Sequence, residues 1–378
     1  MTPIAPSVAP PLRIALDGTA LLGQRTGIGQ LTANLGQALA ARSDVSVVAY
    51  AIGRAAWRDL PPRLPTGVRA GTSWFPARCV EPLWKRAAWP PIESWTGPVD
   101  VVHGTNYTAP PARAPVVVSV HDLTFLHRPD LVMDDTHAVG PALRTLLDRG
   151  ATVHVISDFV GAEVRDAFGL PPERVVRVYP GIADTAGGSA AAGRALAGSD
   201  RYVLALGQLE PRKNLPTLVR AFDRMGSDHD LALIVAGPDG WARDEFFEAV
   251  GAARHRDRIR WLGYVSDEQR RDLLAGATVF AYPSLYEGFG LPPLEAMAAG
   301  VPVVAANRGA IPEIAGDAAL LVDPTDADEL AAGIITLADD DTRRRAFVAA
   351  GRERAARFDW RTTVNGFVDL YTALAGNR

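Results

Sequence analysis

The chain has 378 residues, of which 48% are hydrophobic and 22% are charged, and its formal net charge is −4 at pH 7. Since one hydrophobic core stops growing below this length, the chain is expected to form two soluble domains. The acidic balance argues against a nucleic-acid binder that depends on a basic surface.

Compartment signals in the sequence are few. The opening residues, "MTPIAPSVAPPLR", have neither the cationic head nor the apolar core of a signal peptide. The sequence contains no run of about 18 apolar residues, which is the length needed to span a bilayer. The single cysteine, Cys79, excludes an intramolecular disulfide and favours a reducing compartment. A cytoplasmic protein is the expectation.

Short β-branched runs alternate with helical patterns in the first half of the chain. A helix is predicted after the first run, because Ile28, Leu31, Leu35 and Leu39 are spaced by three and four. The near-continuous apolar runs suit a parallel sheet that is covered on both faces. Strands are predicted at 13–17, 45–51, 99–104, 115–122, 152–157 and 175–179.

The composition changes at residues 183–200, which are mostly alanine, glycine and serine and predict a linker. After this segment the alternation restarts. Helices are predicted at 214–225, 241–254, 266–276 and 326–338. Strands are predicted at 202–207, 231–237, 259–263, 278–284, 301–306 and 319–323.

This repeated alternation predicts two doubly wound α/β domains, one over residues 1–182 and the other over 201–359. Ligands bind such sheets outside the carboxyl ends of the strands, so the cleft between the domains is the expected site. The last helical pattern, 360–378, suits a cover helix of the second domain and a helix that crosses back to the first equally well.

The segment "YEGFGLPPLEAMAAG" places two carboxylates on either side of a glycine-rich bend. Glu287 follows a predicted strand, and Phe289 and Gly290 precede a helix start, where free N–H groups and the helix dipole favour an anion. Glu295 falls inside that helix, where an acidic residue near the N-terminus is also favourable for structure alone. The glycines Gly288 and Gly290 would let a ligand approach the backbone closely.

Two adjacent cations, Arg212 and Lys213, lie between a predicted strand and helix in "LGQLEPRKNLPTL". Positive charge at a helix N-terminus opposes the helix dipole, so a purely structural role is unfavourable. A bound diphosphate would explain both residues.

Two further strand-end features are weaker indicators. Gly27 and Gly29 form a Gly-x-Gly between the first strand and the first helix, but the third glycine and acidic residue of a dinucleotide fingerprint are missing, and a tight turn explains the pair equally. His121 and Asp122 end a strand that faces the expected cleft. A lone histidine is more often structural than catalytic, but this location favours a functional one.

Metal and serine-hydrolase chemistry have little support in the sequence. The carboxylate pair of "DAD" (326–328) immediately precedes a helix and is best explained as its cap. Cysteine and histidine form no cluster with metal-ligand spacing, and no Gly-x-Ser-x-Gly motif is present. We expect neither a metal site nor a cofactor.

Together these motifs resemble the retaining GT-B glycosyltransferases of glycosyltransferase family 4. "YEGFGLPPLEAMAAGVPVV" is similar to the family's Glu-x7-Glu motif, "GQLEPRKNL" to its phosphate-binding strand, loop and helix, and "TGIG" to its first-domain glycine loop. "SVHDLTFL" and "RGAIPEIAGDAALLVDP" also resemble family members. The likeness extends from about residue 13 to residue 370.

The resemblance implies that the second domain holds a nucleotide-diphosphate sugar and the first an acceptor, with retention of configuration and without a metal. Glu287 would contact the sugar hydroxyls, Glu295 the ribose, and His121 would lie beside the donor sugar. The backbone around Phe289, Gly290 and Leu291 would meet the phosphates, Arg212 and Lys213 would neutralise them, and Gly27 and Gly29 would let a loop close on them. Gln208 stands where many relatives have an arginine, which transfers more of the phosphate binding to Arg212 and Lys213, and Asp17 receives no role.

The glycine loop and "VHDLTFL" look most like bacterial mannosyltransferases, which implies GDP-mannose, with a UDP-hexose as the near alternative. Two other readings are a GT-B-fold nucleotide-sugar epimerase, which would need no acceptor, and a non-catalytic nucleotide-sugar-binding subunit. The complete set of Glu287, Arg212 and Lys213 argues against the second.

Residues 54–95 combine aromatic and basic side chains, as suits a lipid-phosphate-linked acceptor at the anionic inner face of a membrane. The alternative is that several of the tryptophans belong to the core. The window holds three acidic residues and seven basic ones. The five tryptophans are Trp57, Trp74, Trp84, Trp89 and Trp95.

Overall fold

A computed structural model describes residues 10–22, 27–71, 79–80, 83–84, 88–133, 136, 138–183 and 185–376. It contains two all-parallel β-sheets, one in each half of the chain. Both are covered by helices and have cores of aliphatic side chains from strands and helices.

The first sheet has seven strands in the order β3-β2-β1-β4-β5-β6-β7. All six strands predicted in this half are confirmed. The unpredicted strand, β3, has only two residues, which is too short to give a periodic signal. The strands are β1 Leu12–Asp17, β2 Val45–Tyr50, β3 Arg69–Ala70, β4 Val101–Gly104, β5 Val116–Val120, β6 Thr152–Val155 and β7 Val175–Arg177.

The second sheet has six strands in the order β10-β9-β8-β11-β12-β13, which repeats the order of the first six strands. In both sheets the direction of winding reverses beside the first strand, and ligands of such folds bind where this reversal opens a crevice. The strands are β8 Tyr202–Leu206, β9 Ala232–Ala236, β10 Ile259–Trp261, β11 Val279–Tyr282, β12 Val303–Ala306 and β13 Leu320–Val322.

Helices connect the strands, and the four predicted in the second half are confirmed. The described helices are α1 Gly27–Ala40, α2 Arg54–Asp59, α3 Glu93–Thr96, α4 Thr124–His127, α5 Val139–Asp148, α6 Asp158–Phe168, α7 Ala190–Ala197, α8 Leu215–Arg224, α9 Arg243–Ala252, α10 Asp267–Gly276, α11 Leu291–Ala298, α12 Ile311–Ala315, α13 Ala327–Asp339, α14 Asp341–Ala355 and α15 Trp360–Gly376.

The prediction that residues 183–200 form a linker is wrong for most of its second half, which is helix α7. Ser189 caps this helix by accepting a hydrogen bond from the backbone N–H of Ala192. A Cβ atom built on Gly193 would lie 2.0 Å from the carbonyl oxygen of Asp272 in α10. Alanine is the strongest helix former, and the small side chains here permit close helix packing rather than chain flexibility.

The C-terminal helix α15 crosses back and packs against the first sheet. Val364, Phe367, Leu370 and Tyr371 share a core cluster with residues of α1, β1 and β2. The crossing lies beside the first connection between the domains, where a Cβ atom on Gly181 would lie 2.7 Å from the Trp360 ring.

A chain of buried hydrogen bonds fastens α15 to the first sheet. Tyr371 Oη lies 2.6 Å from His103 Nδ1, His103 Nε2 2.8 Å from Ser119 Oγ, and Ser119 Oγ 2.8 Å from His154 Nδ1. His154 Nε2 donates to the carbonyl oxygen of Val178 at 3.1 Å. Since that carbonyl can only accept, all the other bonds have a defined direction: Tyr371 donates to His103, His103 to Ser119 and Ser119 to His154.

Both histidines are neutral in this chain. Burial lowers the pKa of His154 to about 3 and takes the pKa of His103 well below its ordinary range. A second proton on either ring would place two donors against each other in a buried site. The first domain is therefore bound to α15 by a network that works only while both rings are uncharged.

We predict that this network makes the protein sensitive to acid. The pKa of an unfolded histidine is about 6.5, so between pH 6.5 and 3 the unfolded chain takes up protons that the folded chain cannot. The stabilisation is complete above pH 6.5 and is lost as the pH falls, by about 3 kcal/mol at pH 4 for His154 alone. Urea unfolding from pH 7 to pH 4 measures this slope.

His154→Gln should be less stable at pH 7 but should lose less stability on acidification. His127→Gln, on the exposed end of α4, is the control for loss of a histidine elsewhere. A His154→Gln slope equal to that of the wild type would contradict the prediction.

Candidate active site

The loops after β8 and β11 bring the sequence-predicted charges together. Arg212 and Lys213 follow β8 and Glu287 follows β11, and these two strands are neighbours in the second sheet. The backbone N–H of Leu285 donates to the carbonyl oxygen of Arg212 at 2.8 Å, which joins the two loops directly.

Asn214 fixes the turn that presents the two cations. Residues Pro211–Lys213 form a single 3-10 turn, after which Asn214 adopts a left-handed conformation with φ of 54°. Asparagine tolerates this conformation better than most residues. Its side chain donates to the carbonyl oxygens of Pro283 at 3.1 Å and Pro324 at 2.7 Å. The turn is thus bound to the ends of β11 and β13.

Glu287 accepts from both cations. Its Oε2 lies 2.5 Å from Arg212 Nη1, and its Oε1 lies 2.8 Å from Lys213 Nζ and 2.9 Å from the hydroxyl of Tyr282. Arg212 also donates to Glu210 at 3.1 Å. We call these five residues the Glu287 cluster; its four charges sum to zero.

Burial and charge compete for the pKa values of the cluster. Burial alone would raise the pKa of Glu287, but the charges of Arg212 and Lys213 outweigh it and lower this pKa to about 2. Burial lowers the pKa of Lys213, and the attraction of Glu287 compensates only in part. Burial likewise opposes the charge on Arg212, but Glu287 prevails and raises its pKa. Glu287 is therefore ionised at pH 7, which does not suit a general acid.

The two cations retain hydrogen-bond donors for a ligand. Arg212 has five N–H donors and Lys213 has three. Within the described residues, Arg212 uses three of them on Glu287, Glu210 and the carbonyl of Tyr286, and Lys213 uses two on Glu287 and Tyr282. Three donors therefore remain for a ligand.

Glu295 belongs to a separate pair. It is buried in α11 and forms an ion pair with Arg270 of α10. Burial raises its pKa, an effect that Arg270 partly opposes. The two glutamates of the motif therefore have different cationic partners, as expected if they do different work.

Aromatic packing in the core fixes the glycine-rich bend between the two glutamates. The Phe289 ring is buried against Tyr179 and Phe358, which anchors the loop in the core. Gly290 has a φ of 121°, which favours glycine. Among the described residues, the backbone N–H groups of Phe289, Gly290 and Leu291 meet no acceptor. These groups and the positive end of α11 form an edge whose polarity suits an anion.

His121 lies against this bend from the first domain. A Cβ atom on Gly288 would be 1.8 Å from the His121 carbonyl oxygen, so only glycine permits the contact. His121 Nε2 donates to the carbonyl oxygen of Thr105 at 2.8 Å, which leaves Nδ1 as a buried acceptor that meets no partner among the described residues. Burial lowers the pKa of His121, so the ring is neutral at pH 7.

The remaining predicted site residues, Gln208, Gly27 and Gly29, lie outside the Glu287 cluster. Gln208 is committed to the loop after β9, because its Nε2 donates to the carbonyl oxygen of Asp239 at 3.0 Å. Gly27 and Gly29 lie in the first turn of α1 and not in a loop before it, which corrects that expectation. The preceding residues of the glycine motif, Arg25 and Thr26, lie outside the described part of the chain.

The two domains make direct contacts beside the motif. Ser157 Oγ donates to the Gly288 carbonyl oxygen at 2.7 Å and accepts from the N–H of Val160. The Glu313 carboxylate, from the second domain, accepts from the N–H groups of Asp158 and Phe159 at 2.8 and 2.9 Å. Helix α6 of the first domain is therefore capped by a side chain of the second.

Sequence reasoning missed several partners in the site. Arg270, Glu313 and Ser157 lie in helix-start patterns that any surface helix could have. Tyr282 ends a strand and gives a purely hydrophobic signal. What distinguishes these residues is contact with chain segments far away in the sequence, and no local pattern encodes such a contact.

Only part of the window 54–95 is described. Trp84 and Trp95 pack edge to face with ring centroids 6.4 Å apart, while Trp89 is 61% exposed. Trp74, Lys85 and Arg86 lie outside the described residues. Within the described part, no helix is long and apolar enough to cross a membrane.

We predict that neutralising Glu287 destabilises the protein. Glu287→Gln leaves two buried cations without their shared anion, and loss of one member of a buried ion pair costs about 3–5 kcal/mol. Urea unfolding at pH 7 measures the loss. Arg13→Gln, which breaks a surface pair with Asp100, should cost less than about 1 kcal/mol. Equal losses in the two variants would refute the prediction.

We also predict that the cap on α6 stabilises the contact between domains. Glu313→Gln removes the charge of a carboxylate that accepts from Asp158, Phe159 and Tyr179, and should cost about 1–3 kcal/mol. Hydrogen exchange at the amides of Asp158 and Phe159 should become faster. The matched control is Glu353→Gln, a surface residue paired with Arg357. Unchanged exchange in Glu313→Gln would count against an interdomain cap.

Comparisons with known proteins agree with this architecture. The family model "Glycosyl transferases group 1" matches residues 191–354, and the model "Glycosyltransferase Family 4" matches residues 25–185. The chain is similar to O-antigen chain mannosyltransferase B of Escherichia coli, with 33% identity over 72% of this chain and 74% of the relative. It is also similar to the phosphatidyl-myo-inositol mannosyltransferase of Mycolicibacterium smegmatis, with 33% identity over 47% of this chain and 46% of that protein.

A solved structure shares the fold. The Anabaena protein HepE, crystallised with UDP and glucose, superposes with a TM-score of 0.73 and 20% identity over 96% of this chain and 100% of the other. The two parallel sheets, the motif pair and these matches lead to one conclusion: the chain belongs to the family 4 glycosyltransferases and has the GT-B fold.

Proposed function

We propose that this glycosyltransferase moves mannose from GDP-mannose onto a saccharide or lipid-linked acceptor, with retention of anomeric configuration and without a metal ion. The observation that carries the proposal is the Glu287 cluster beside the free amides of α11. Together they offer an anion both fixed positive charge and directed N–H groups in a largely buried site.

The diphosphate would lie between the cations and the helix end. Cleavage of a glycosyl–phosphate bond leaves negative charge on the departing diphosphate, and donors already in place stabilise that charge without reorganisation. Three donors of Arg212 and Lys213 and the amides of Phe289, Gly290 and Leu291 are available. These protein groups would perform the charge neutralisation that a metal performs elsewhere. No described group of three or more His, Cys, Asp or Glu residues has the arrangement of a metal site.

The remaining groups would position the sugar and the nucleoside. Glu287 is ionised and can accept hydrogen bonds from sugar hydroxyls, and Glu295 would accept from the ribose. The neutral His121, held by Thr105, would lie beside the donor sugar. Since the charges of Arg212 and Lys213 lower the pKa of Glu287 and keep it ionised, this carboxylate does not suit a general acid. A same-face reaction in which the departing phosphate assists the acceptor is the favoured mechanism.

The choice of mannose is supported by the relatives. Two curated proteins with 33% identity are named as mannosyltransferases. Their names refer to an O-antigen chain and to phosphatidyl-myo-inositol, which supports a saccharide or lipid-linked acceptor. We propose that the enzyme meets this acceptor at the cytoplasmic face of a membrane, with contact through residues 54–95. The alternative donor is a UDP-hexose, because HepE was crystallised with UDP and glucose.

We predict that guanine nucleotides stabilise the protein most. A thermal-shift screen of GDP, UDP, ADP and their sugars tests this, since a ligand at 100 times its Kd adds about 2.7 kcal/mol to the free energy of unfolding.

With the best donor and a mannoside acceptor, NMR of the product should show the same anomeric configuration as the donor. Lys213→Met and Glu287→Gln should lower kcat/KM about 100-fold or more, and a chelator should leave the rate unchanged.

Each part can fail separately. Preferential stabilisation by UDP would indicate that the donor is a UDP-hexose and not GDP-mannose. Product formed from the donor without acceptor would indicate the epimerase, and full activity of both variants would refute the site. Arg13→Gln, far from the cluster, is the control for loss of a positive charge.

A further inference from the structure

A second concentration of positive charge lies at the opposite end of the second domain. Five arginines and one acidic residue line a pocket of about 510 Å³. They come from three separate segments: α7, the entrance to β8, and α14. We call this the arginine pocket, and its charged residues are Arg194, Asp200, Arg201, Arg344, Arg345 and Arg352.

The position separates this pocket from the Glu287 cluster. Its other walls include Thr278 and Pro302, which immediately precede β11 and β12. The pocket therefore opens at the amino ends of the strands, whereas Arg212, Lys213 and Glu287 follow the carboxyl ends. A ligand here would be distinct from the sugar donor.

Two of the five arginines have a structural role. Arg201 and Arg344 donate to the carbonyl oxygen of Ala338, near the C-terminus of α13, and pair with Asp339 and Asp341. Cations at a helix C-terminus satisfy its last carbonyls and complement its dipole. These contacts explain why two arginines are present, but not why there are five.

The other three arginines of the pocket have no such structural role within the described part of the chain. Arg194, Arg345 and Arg352 make no side-chain hydrogen bond or ion pair with any residue that the structure describes. Arg345 and Arg352 are seven residues apart on α14, which places them on one face about 10 Å apart along the axis. Val348 and Ala349 lie between them and give the pocket an apolar wall. The Arg352 guanidinium lies over Gly300, where a Cβ atom would be 2.4 Å from Nη2.

This charge density is unusual for the chain as a whole. The protein has a formal charge of −4, yet the pocket lining carries five positive charges against one negative. Like charges gathered in a concavity repel one another and focus a positive potential there. Guanidinium groups bind phosphate oxygens in paired geometry, and among the described residues nothing accepts a hydrogen bond from these three.

We propose that the arginine pocket binds a phosphate-bearing anion, either a soluble phosphate or diphosphate compound or the headgroup of an anionic lipid. Arg345 and Arg352 supply the main contacts from one helix face, and Arg194 closes the pocket from α7. The proposal does not depend on which sugar the enzyme transfers.

Binding of inorganic pyrophosphate tests the soluble arm. The titration uses calorimetry in a Lys213→Met background, so that the Glu287 cluster does not dominate the signal. Arg345→Gln combined with Arg352→Gln should weaken binding at least tenfold. Arg256→Gln combined with Arg357→Gln changes the net charge equally at exposed positions outside the pocket and should leave the affinity unchanged. Circular dichroism checks that each variant is folded.

Cosedimentation with vesicles tests the lipid arm. Wild-type protein should bind vesicles of phosphatidylglycerol and not of phosphatidylcholine. The pocket variant should bind them at least tenfold more weakly than the control variant, since both variants keep residues 54–95. Pyrophosphate binding alone identifies a soluble ligand, and vesicle binding alone identifies a headgroup. The proposal is overturned if neither probe binds, or if the pocket and control variants lose binding equally, because the effect is then one of net charge.

Discussion

The sharing of one buried carboxylate by two cations is the interaction on which the active site depends. Arg212 and Lys213 are adjacent in sequence and would repel each other and the positive end of α8 if they stood alone. Glu287, from a neighbouring strand end, makes their burial tolerable and fixes their side chains. The anion also leaves part of their hydrogen-bonding capacity unused, and this remainder is what the site can offer to a ligand.

The surrounding structure keeps this arrangement in place. Asn214 binds the turn of the cations to the ends of two other strands, and the Phe289 ring anchors the bend that follows Glu287. From the first domain, the His121 backbone presses on Gly288 and Ser157 donates to its carbonyl. The residues of the motif loop all come from the second domain, but contacts from both domains hold the loop in place.

A charged group joins the two domains near the cleft, whereas neutral groups join the C-terminal helix to the first sheet. Near the cleft, the Glu313 carboxylate caps a helix of the opposite domain. Behind the first sheet, the contact with α15 requires two uncharged histidines. Acidification should weaken the contact between α15 and the first sheet before it protonates Glu287, whose pKa is low. We therefore expect α15 to detach at a higher pH than that at which the Glu287 cluster loses its charge balance.

Much of this protein could be predicted from the sequence alone. Apolar runs and helical spacing are local signals, so twelve of the thirteen described strands, the repeated α/β alternation and the residues Glu287, Arg212 and Lys213 were all recognisable. The alanine-rich segment before β8 was wrongly predicted to be a linker, because small side chains are equally typical of flexible segments and of closely packed helices. The tertiary structure alone decided that this segment holds a helix, that α15 covers the first sheet, and that Arg270, Tyr282, Ser157 and Glu313 complete the site. The physical reason is that each of these outcomes depends on a contact between segments distant in the chain, whereas sequence periodicity reports only which face of an element is buried.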